Sequence, residues 1–104
     1  MAETYKHLAS GQLPNSSTAL YTAPGSTKCV GPSIWLHNTN STDEAVELSI
    51  HDGVARIMWQ GTLSAGASAN IDFGRVVLET GYKIQGNTTT AAKVNYYLSG
   101  VELT

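Results

Sequence analysis

The stretch Thr27-Lys-Cys-Val-Gly-Pro-Ser-Ile-Trp-Leu-His-Asn-Thr39 decides the fold. Side chains alternate across an extended chain, so Val30, Pro32, Ile34 and Leu36 share one side. Lys28, Cys29, Trp35 and His37 lie on or near the other. Asn38 to Asp43 then supplies six turn-forming residues in a row. Beyond them Val46, Leu48 and Ile50 alternate with Glu47, Ser49 and His51. Two alternating runs about a short polar turn predict a β-hairpin at the centre of the core.

The flanking sequence repeats this pattern. Thr18 to Ala23 is a short strand closed by Pro24-Gly25. Asp52-Gly53 is a tight-turn dipeptide, and it leads into a run in which Ala55, Ile57 and Trp59 alternate with Arg56, Met58 and Gln60. Small residues from Ser64 to Ala69 form a loop. Ile71 and Phe73 then point inward, and Arg75 to Leu78 is apolar on both sides. Glu79 to Gly81 and Asn87 to Thr90 are turns on either side of a strand carrying Tyr82 and Ile84. In the last run Val94, Tyr96 and Leu98 share one phase and Val101 and Leu103 the other, so a bulge near Ser99-Gly100 is expected to restore the facing. Seven or eight short strands without a convincing helix predict an all-β, single-domain β-sandwich or jelly-roll-like fold over residues 17–104. Residues 1–16 show no sustained period and predict an N-terminal arm, docked through Tyr5 and Leu8, with Leu13 also available for contact.

Composition narrows the function. Hydrophobic residues make up 41% of the 104-residue chain and charged residues only 13%, about half the usual share. A surface so poor in charge predicts coverage by a partner. The net charge of -2 with no basic run leaves no footprint for nucleic acid, and no stretch is long and apolar enough to span a bilayer as a helix. The N-terminus lacks the apolar core of a signal peptide, which predicts folding in the cytoplasm where the chain is made. The Asn-x-Ser/Thr triplets at Asn15, Asn40 and Asn87 therefore read as polar turns. The single cysteine, Cys29, excludes an internal disulfide and a cysteine-cluster metal site.

No motif for catalysis is present. A glycosidase needs two carboxyls about 5–10 Å apart, and Asp43, Glu44, Asp52, Asp72, Glu79 and Glu102 read as solvated or turn residues. His37 and His51 lie on the two strands of the predicted hairpin, where a cross-strand pair could approach within about 5 Å. With no third ligand at a diagnostic spacing they read as surface or interface histidines, not a zinc site. Cys29 has no nucleophile signature and reads as a small buried thiol. No cofactor, metal or catalytic residue is expected. The aromatics offer more. Trp35 faces away from Ile34 and Leu36, and Tyr96 and Tyr97 must point to opposite faces. Exposed rings on a small protein mark a partner or a sugar-stacking platform.

The order of pieces resembles a known group. Gly11-Gln-Leu-Pro14, Leu20-Tyr-Thr-Ala-Pro-Gly25, a strand ending Leu36-His-Asn-Thr39, Val46-Glu-Leu-Ser-Ile50, Leu63-Ser-Ala-Gly66 and Tyr97-Leu-Ser-Gly-Val-Glu-Leu-Thr104 look like small virion structural proteins of tailed bacteriophages. The resemblance spans nearly the whole chain and rests on strand and turn signatures. It implies a non-enzymatic capsid decoration (cement) protein, often a homotrimer, that binds and stabilises the shell of the major capsid protein at the virion surface. A tail, neck or head-fibre component is the related alternative, and a carbohydrate-binding module for host attachment is the alternative of another class. On the capsid reading, Tyr5, Leu8, Leu13, Trp35 and Tyr97 are the expected contacts to a second copy or to other virion proteins.

Overall fold

The computed structural model describes residues 5–103. They form nine strands: β1 (Tyr5–Gln12), β2 (Thr18–Thr22), β3 (Lys28–Asn38), β4 (Glu44–His51), β5 (Ala55–Leu63), β6 (Ser68–Asp72), β7 (Val77–Leu78), β8 (Lys83–Thr88) and β9 (Val94–Leu103). No helix occurs among the described residues. The strands build two antiparallel sheets. The first has the order β1-β9-β3-β6, with β7 pairing β3 beyond the end of β6; the second has the order β2-β8-β4-β5. They face each other across one core, as in a β-sandwich. Ile34, Leu36, Leu98 and Val94 come from the first sheet and Val46, Leu48, Ile50 and Ile84 from the second, all buried by the period-two alternation of their strands.

The predicted all-β class and the β4–β5 hairpin at Asp52-Gly53 are both present. The loop is residues 52–54, and Gly53 takes φ 108°, a value that favours glycine. The predicted β3–β4 hairpin is not. β3 belongs to the first sheet and β4 to the second, so residues 39–43 form an arch over the end of the sandwich. Asn38 explains why. It continues the inward phase of Ile34 and Leu36 and is fully buried. Its Nδ2 donates to the carbonyls of Thr42 (3.0 Å), Leu63 (3.0 Å) and Ser64 (3.2 Å), and its Oδ1 accepts from Asn40 N at 2.8 Å. The turn is built around this amide, which ties it to the start of the β5–β6 loop. As a consequence His37 and His51 lie in different sheets and are not cross-strand partners.

Two further expectations are corrected. β9 runs without a bulge; the irregularities lie in its partners, between Val30 and Ser33 in β3 and between His7 and Ala9 in β1. Gly31 (φ 62°) and Pro32 break the β3 ladder, which turns Val30 outward while Pro32, Ile34 and Leu36 stay inside. Val101 and Leu103 therefore remain in the outward phase. The segment expected as an arm is largely a strand of the chain's own sheet: residues 5–12 are β1, paired along β9, while residues 1–4 lie outside the described residues. A bulge at Leu8 obscures its period. Leu13 is 0% exposed, with its amide donating to the Val94 carbonyl at 2.8 Å, and Leu8 packs against the core. Leu13 therefore has no surface to offer a partner, and Leu8, half-buried, offers only part of one. A bulge at Met58 of β5 likewise breaks the predicted alternation, leaving Trp59 half-buried and Ile57 exposed.

Gly86 of β8 is roofed over by the side chains of its neighbours. A Cβ there would lie 2.9 Å from Leu20 Cδ1, 3.1 Å from Leu48 Cδ2 and 3.2 Å from Leu13 Cδ2. Leu13 and Leu48 are fully buried and have little room to yield. Gly86→Val is expected to lower the unfolding free energy by about 2–3 kcal/mol, the scale of core overpacking, measured by urea denaturation.

Candidate functional site: a ring-bearing sheet face

The outer face of the first sheet follows from its register. Four rows of side chains cross it, and beyond Val30 and Val101 the pair Lys28 and Leu103 ends the face, with Lys28 turned to Glu79. From the β6/β7 edge to β1 the rows read Val77, Val30, Val101, Tyr5; then Asp72, Ser33, Ser99, His7; then Asn70, Trp35, Tyr97, Ser10; then Ser68, His37, Asn95, Gln12. Trp35 and Tyr97 are direct cross-strand partners, 54% and 52% exposed. His7 lies beside them, its ring centroid 4.5 Å from that of Tyr97 and tilted by 36°. Tyr5 reaches along the face from the next strand but one. Its hydroxyl donates to the Gly31 carbonyl at 3.3 Å and shares a hydrogen bond of 2.7 Å with Ser33 Oγ. His37 Nδ1 is held by Ser68 Oγ at 2.7 Å.

Three of the five contact residues expected from sequence are thus brought onto one surface: Tyr5, Trp35 and Tyr97. His7, which as a residue of the expected arm reads as a contact or as nothing, belongs with them. Within the four rows the only formal charge at neutral pH is Asp72, at the edge. Half-exposed aromatic side chains leave on the order of 100 Å² each in water. A surface of rings, amides and hydroxyls with almost no charge is cheap to desolvate, and aromatic residues of this kind are the side chains that carry binding energy at interfaces.

The titratable groups are absorbed by structure. Glu44, 1% exposed, accepts from Asn40 Nδ2 (2.8 Å), Thr88 Oγ1 (3.0 Å) and Thr90 N (2.8 Å). Burial pushes its pKa up, but the donated hydrogen bonds outweigh burial and hold it below the usual carboxylate value. Glu102 is lowered by the hydrogen bond from Lys6 (2.8 Å) and by that from the Tyr21 hydroxyl. Because Tyr21 belongs to β2, its bond to Glu102 clasps the two sheets together. Asp52 holds Arg56 through both carboxylate oxygens, Glu47 holds Gln60, Asp72 and Asp43 accept from the amides of Gly74 and Ala65, and Glu79 faces Lys28. Every carboxylate of the described residues therefore has a local partner. Cys29 is fully buried, and burial together with the nearby Glu102 charge pushes its pKa up to about 11, so it stays a thiol at neutral pH. No cluster of three metal-ligating side chains occurs among the described residues.

A shallow recess of about 510 Å³ opens on the other sheet, lined by Asn15, Glu47, Gln60, Thr62, Asn87 and Thr89 among others. It contains no aromatic ring, whereas the exposed rings of Trp35 and Tyr97 lie on the first sheet. Neither a protein-family model nor a curated protein matches the chain.

Proposed function

We propose that the chain is a non-enzymatic structural protein of a tailed-phage virion, a capsid decoration protein that binds the major capsid protein shell and stabilises it by bridging its subunits. The observation that carries this reading is the charge-poor face of Tyr5, His7, Trp35 and Tyr97. A structural protein works by burial, and a standard interface removes roughly 1,600 Å² from water. Many copies on one shell then act together. The sequence resemblance to phage virion proteins supports the same reading. So does the strand pairing: β1 with β9, β2 with β8, β3 with β6 and β4 with β5, the pattern made by rolling up one long hairpin, as in a jelly roll. The engagement of the carboxylates in local contacts supports a role without catalysis. On this reading the protein is made in the host cytoplasm and ends at the virion surface.

The test is co-sedimentation of the purified protein with particles lacking it. Wild-type protein should bind and raise the temperature at which shells open. Trp35→Ala and Tyr97→Ala should each weaken binding about 30-fold or more, since central aromatic contacts contribute about 2 kcal/mol or above. Wild-type affinity in the double variant overturns the reading. So does a protein that never associates with particles yet shows a saturable change in tryptophan fluorescence with a host glycan, the result expected of a carbohydrate-binding module built on Trp35.

A further inference from the structure

The large exposed hydrophobic side chains of the described residues are seven, and they fall into two groups. Tyr5, Trp35, Val77 and Tyr97 lie on the outer face of the first sheet. Val54, Ile57 and Met58 lie together on the β4–β5 loop and the bulged part of β5, the outer edge of the second sheet. We infer that copies of this chain join head to tail, the ring face of one seated on the β5 shoulder of the next. This deepens the assembly reading of the ring face and rests on it, naming a second copy of the chain as its occupant, so that loss of Trp35 or Tyr97 weakens particle binding by breaking up the oligomer whose many copies hold the shell together.

Three observations favour that occupant. A two-fold contact of ring face on ring face would cover one group only, whereas a head-to-tail contact covers both with a single kind of interface. The two surfaces are chemically matched. Flat rings meet flexible aliphatic and thioether side chains, and sulfur packs well against aromatic edges. They are matched in charge as well. Asp72 is the one carboxylate in the rows of the ring face, and Arg56 is the one cation in β5. Arg56 gives only its Nε to Asp52, leaving the η nitrogens open to the Asp72 of a neighbour. Whether such a chain closes depends on the rotation at each junction: a third of a turn gives a trimer.

The experiment is light scattering on the full-length protein at up to about 200 μM, with circular dichroism to show that each variant is folded. The wild-type protein is expected to run as an oligomer of the 11.0 kDa chain. A ring-dead variant (Trp35→Ser with Tyr97→Ser) and a shoulder-dead variant (Ile57→Lys with Met58→Lys) should each be monomeric. Mixed in equal amounts, they should form a one-to-one dimer and nothing larger, because a single intact junction survives between them. A shoulder-dead variant that keeps the wild-type mass overturns the inference and points to a two-fold contact through the rings. A monomeric wild-type protein that uses Trp35 only on particles or on a glycan also overturns it. Particle binding is read separately, so head-to-tail assembly without particle binding upholds this inference and sinks the virion reading alone.

Discussion

Asn38→Ala is expected to lower the unfolding free energy by about 3–4 kcal/mol. Asn38 is fully buried, and its one amide serves the carbonyls of Thr42, Leu63 and Ser64 while accepting from Asn40 N. Removing it takes a donor from the Thr42 and Leu63 carbonyls and an acceptor from Asn40 N at the crossover between the sheets, while the Ser64 carbonyl keeps the Ala67 amide at 2.9 Å. Each buried group left without a partner costs about 1–3 kcal/mol, offset in part where the exposed side of the arch admits water. For a domain of this size the loss corresponds to a fall of roughly 12–25 °C in Tm. Asn38→Asp separates hydrogen bonding from shape. It is nearly isosteric, yet its carboxylate has no donor for the three carbonyls. At pH 7 it should therefore be at least as damaging as Asn38→Ala, and protonation at acid pH, which restores one donor, should narrow its gap to the wild type. Urea denaturation at pH 7 and pH 4 reads both effects. An Asn38→Asp protein as stable as wild type at pH 7 would show that the amide does not hold the arch.

The same residue marks what the sequence made legible. Alternation identified an all-β chain, because Ile34, Leu36, Val46, Leu48 and Ile50 can share one core only if their strands face it with period two. It could not say which strands share a sheet. A polar run such as Asn38 to Asp43 suits a hairpin and an arch equally well. The distinguishing signal was present: Asn38 falls in the inward phase, and a buried amide must be spent on the backbone of a crossing. Bulges hid the rest. Gly31-Pro32 reversed the facing of Val30, the irregularity at Leu8 made β1 read as an arm, and Met58 turned Ile57 to solvent. The ring face was legible only in pieces. Trp35 and Tyr97 each stood out as an aromatic facing away from the core, but they meet only because β3 pairs with β9, a contact between distant parts of the chain. Leu8 and Leu13, apolar residues in an aperiodic stretch, looked equally free, yet Leu13 is fully buried and Leu8 half-buried against the core.

Acid should destabilise the protein through Glu44. Its carboxylate is held below the usual pKa in the folded state, because three donated hydrogen bonds outweigh its burial, while in the unfolded chain it titrates near 4.3. A depressed folded pKa contributes stability that is present above the unfolded value and is lost as pH falls towards the folded one. Between those two values unfolding takes up one proton at this site, which steepens the fall in stability by about 1.4 kcal/mol per pH unit. Glu102, lowered by Lys6 and Tyr21, acts in the same direction. Glu44→Gln removes the titration and at pH 7 costs about 2–3 kcal/mol, because an amide presents one oxygen and two hydrogens to a site built entirely of donors. The variant and the wild type should therefore converge as pH falls from 6 to 3, with the variant showing the shallower acid limb. Parallel limbs in urea titrations across that range would mean that Glu44 is not the group whose protonation opens the end of the sandwich. The position gives this titration a structural consequence. Glu44 begins β4 directly after the arch, and its partners Asn40, Thr88 and Thr90 come from the arch and from the end of β8. Protonation therefore loosens the arch end of the sandwich, where the chain crosses from β3 to β4.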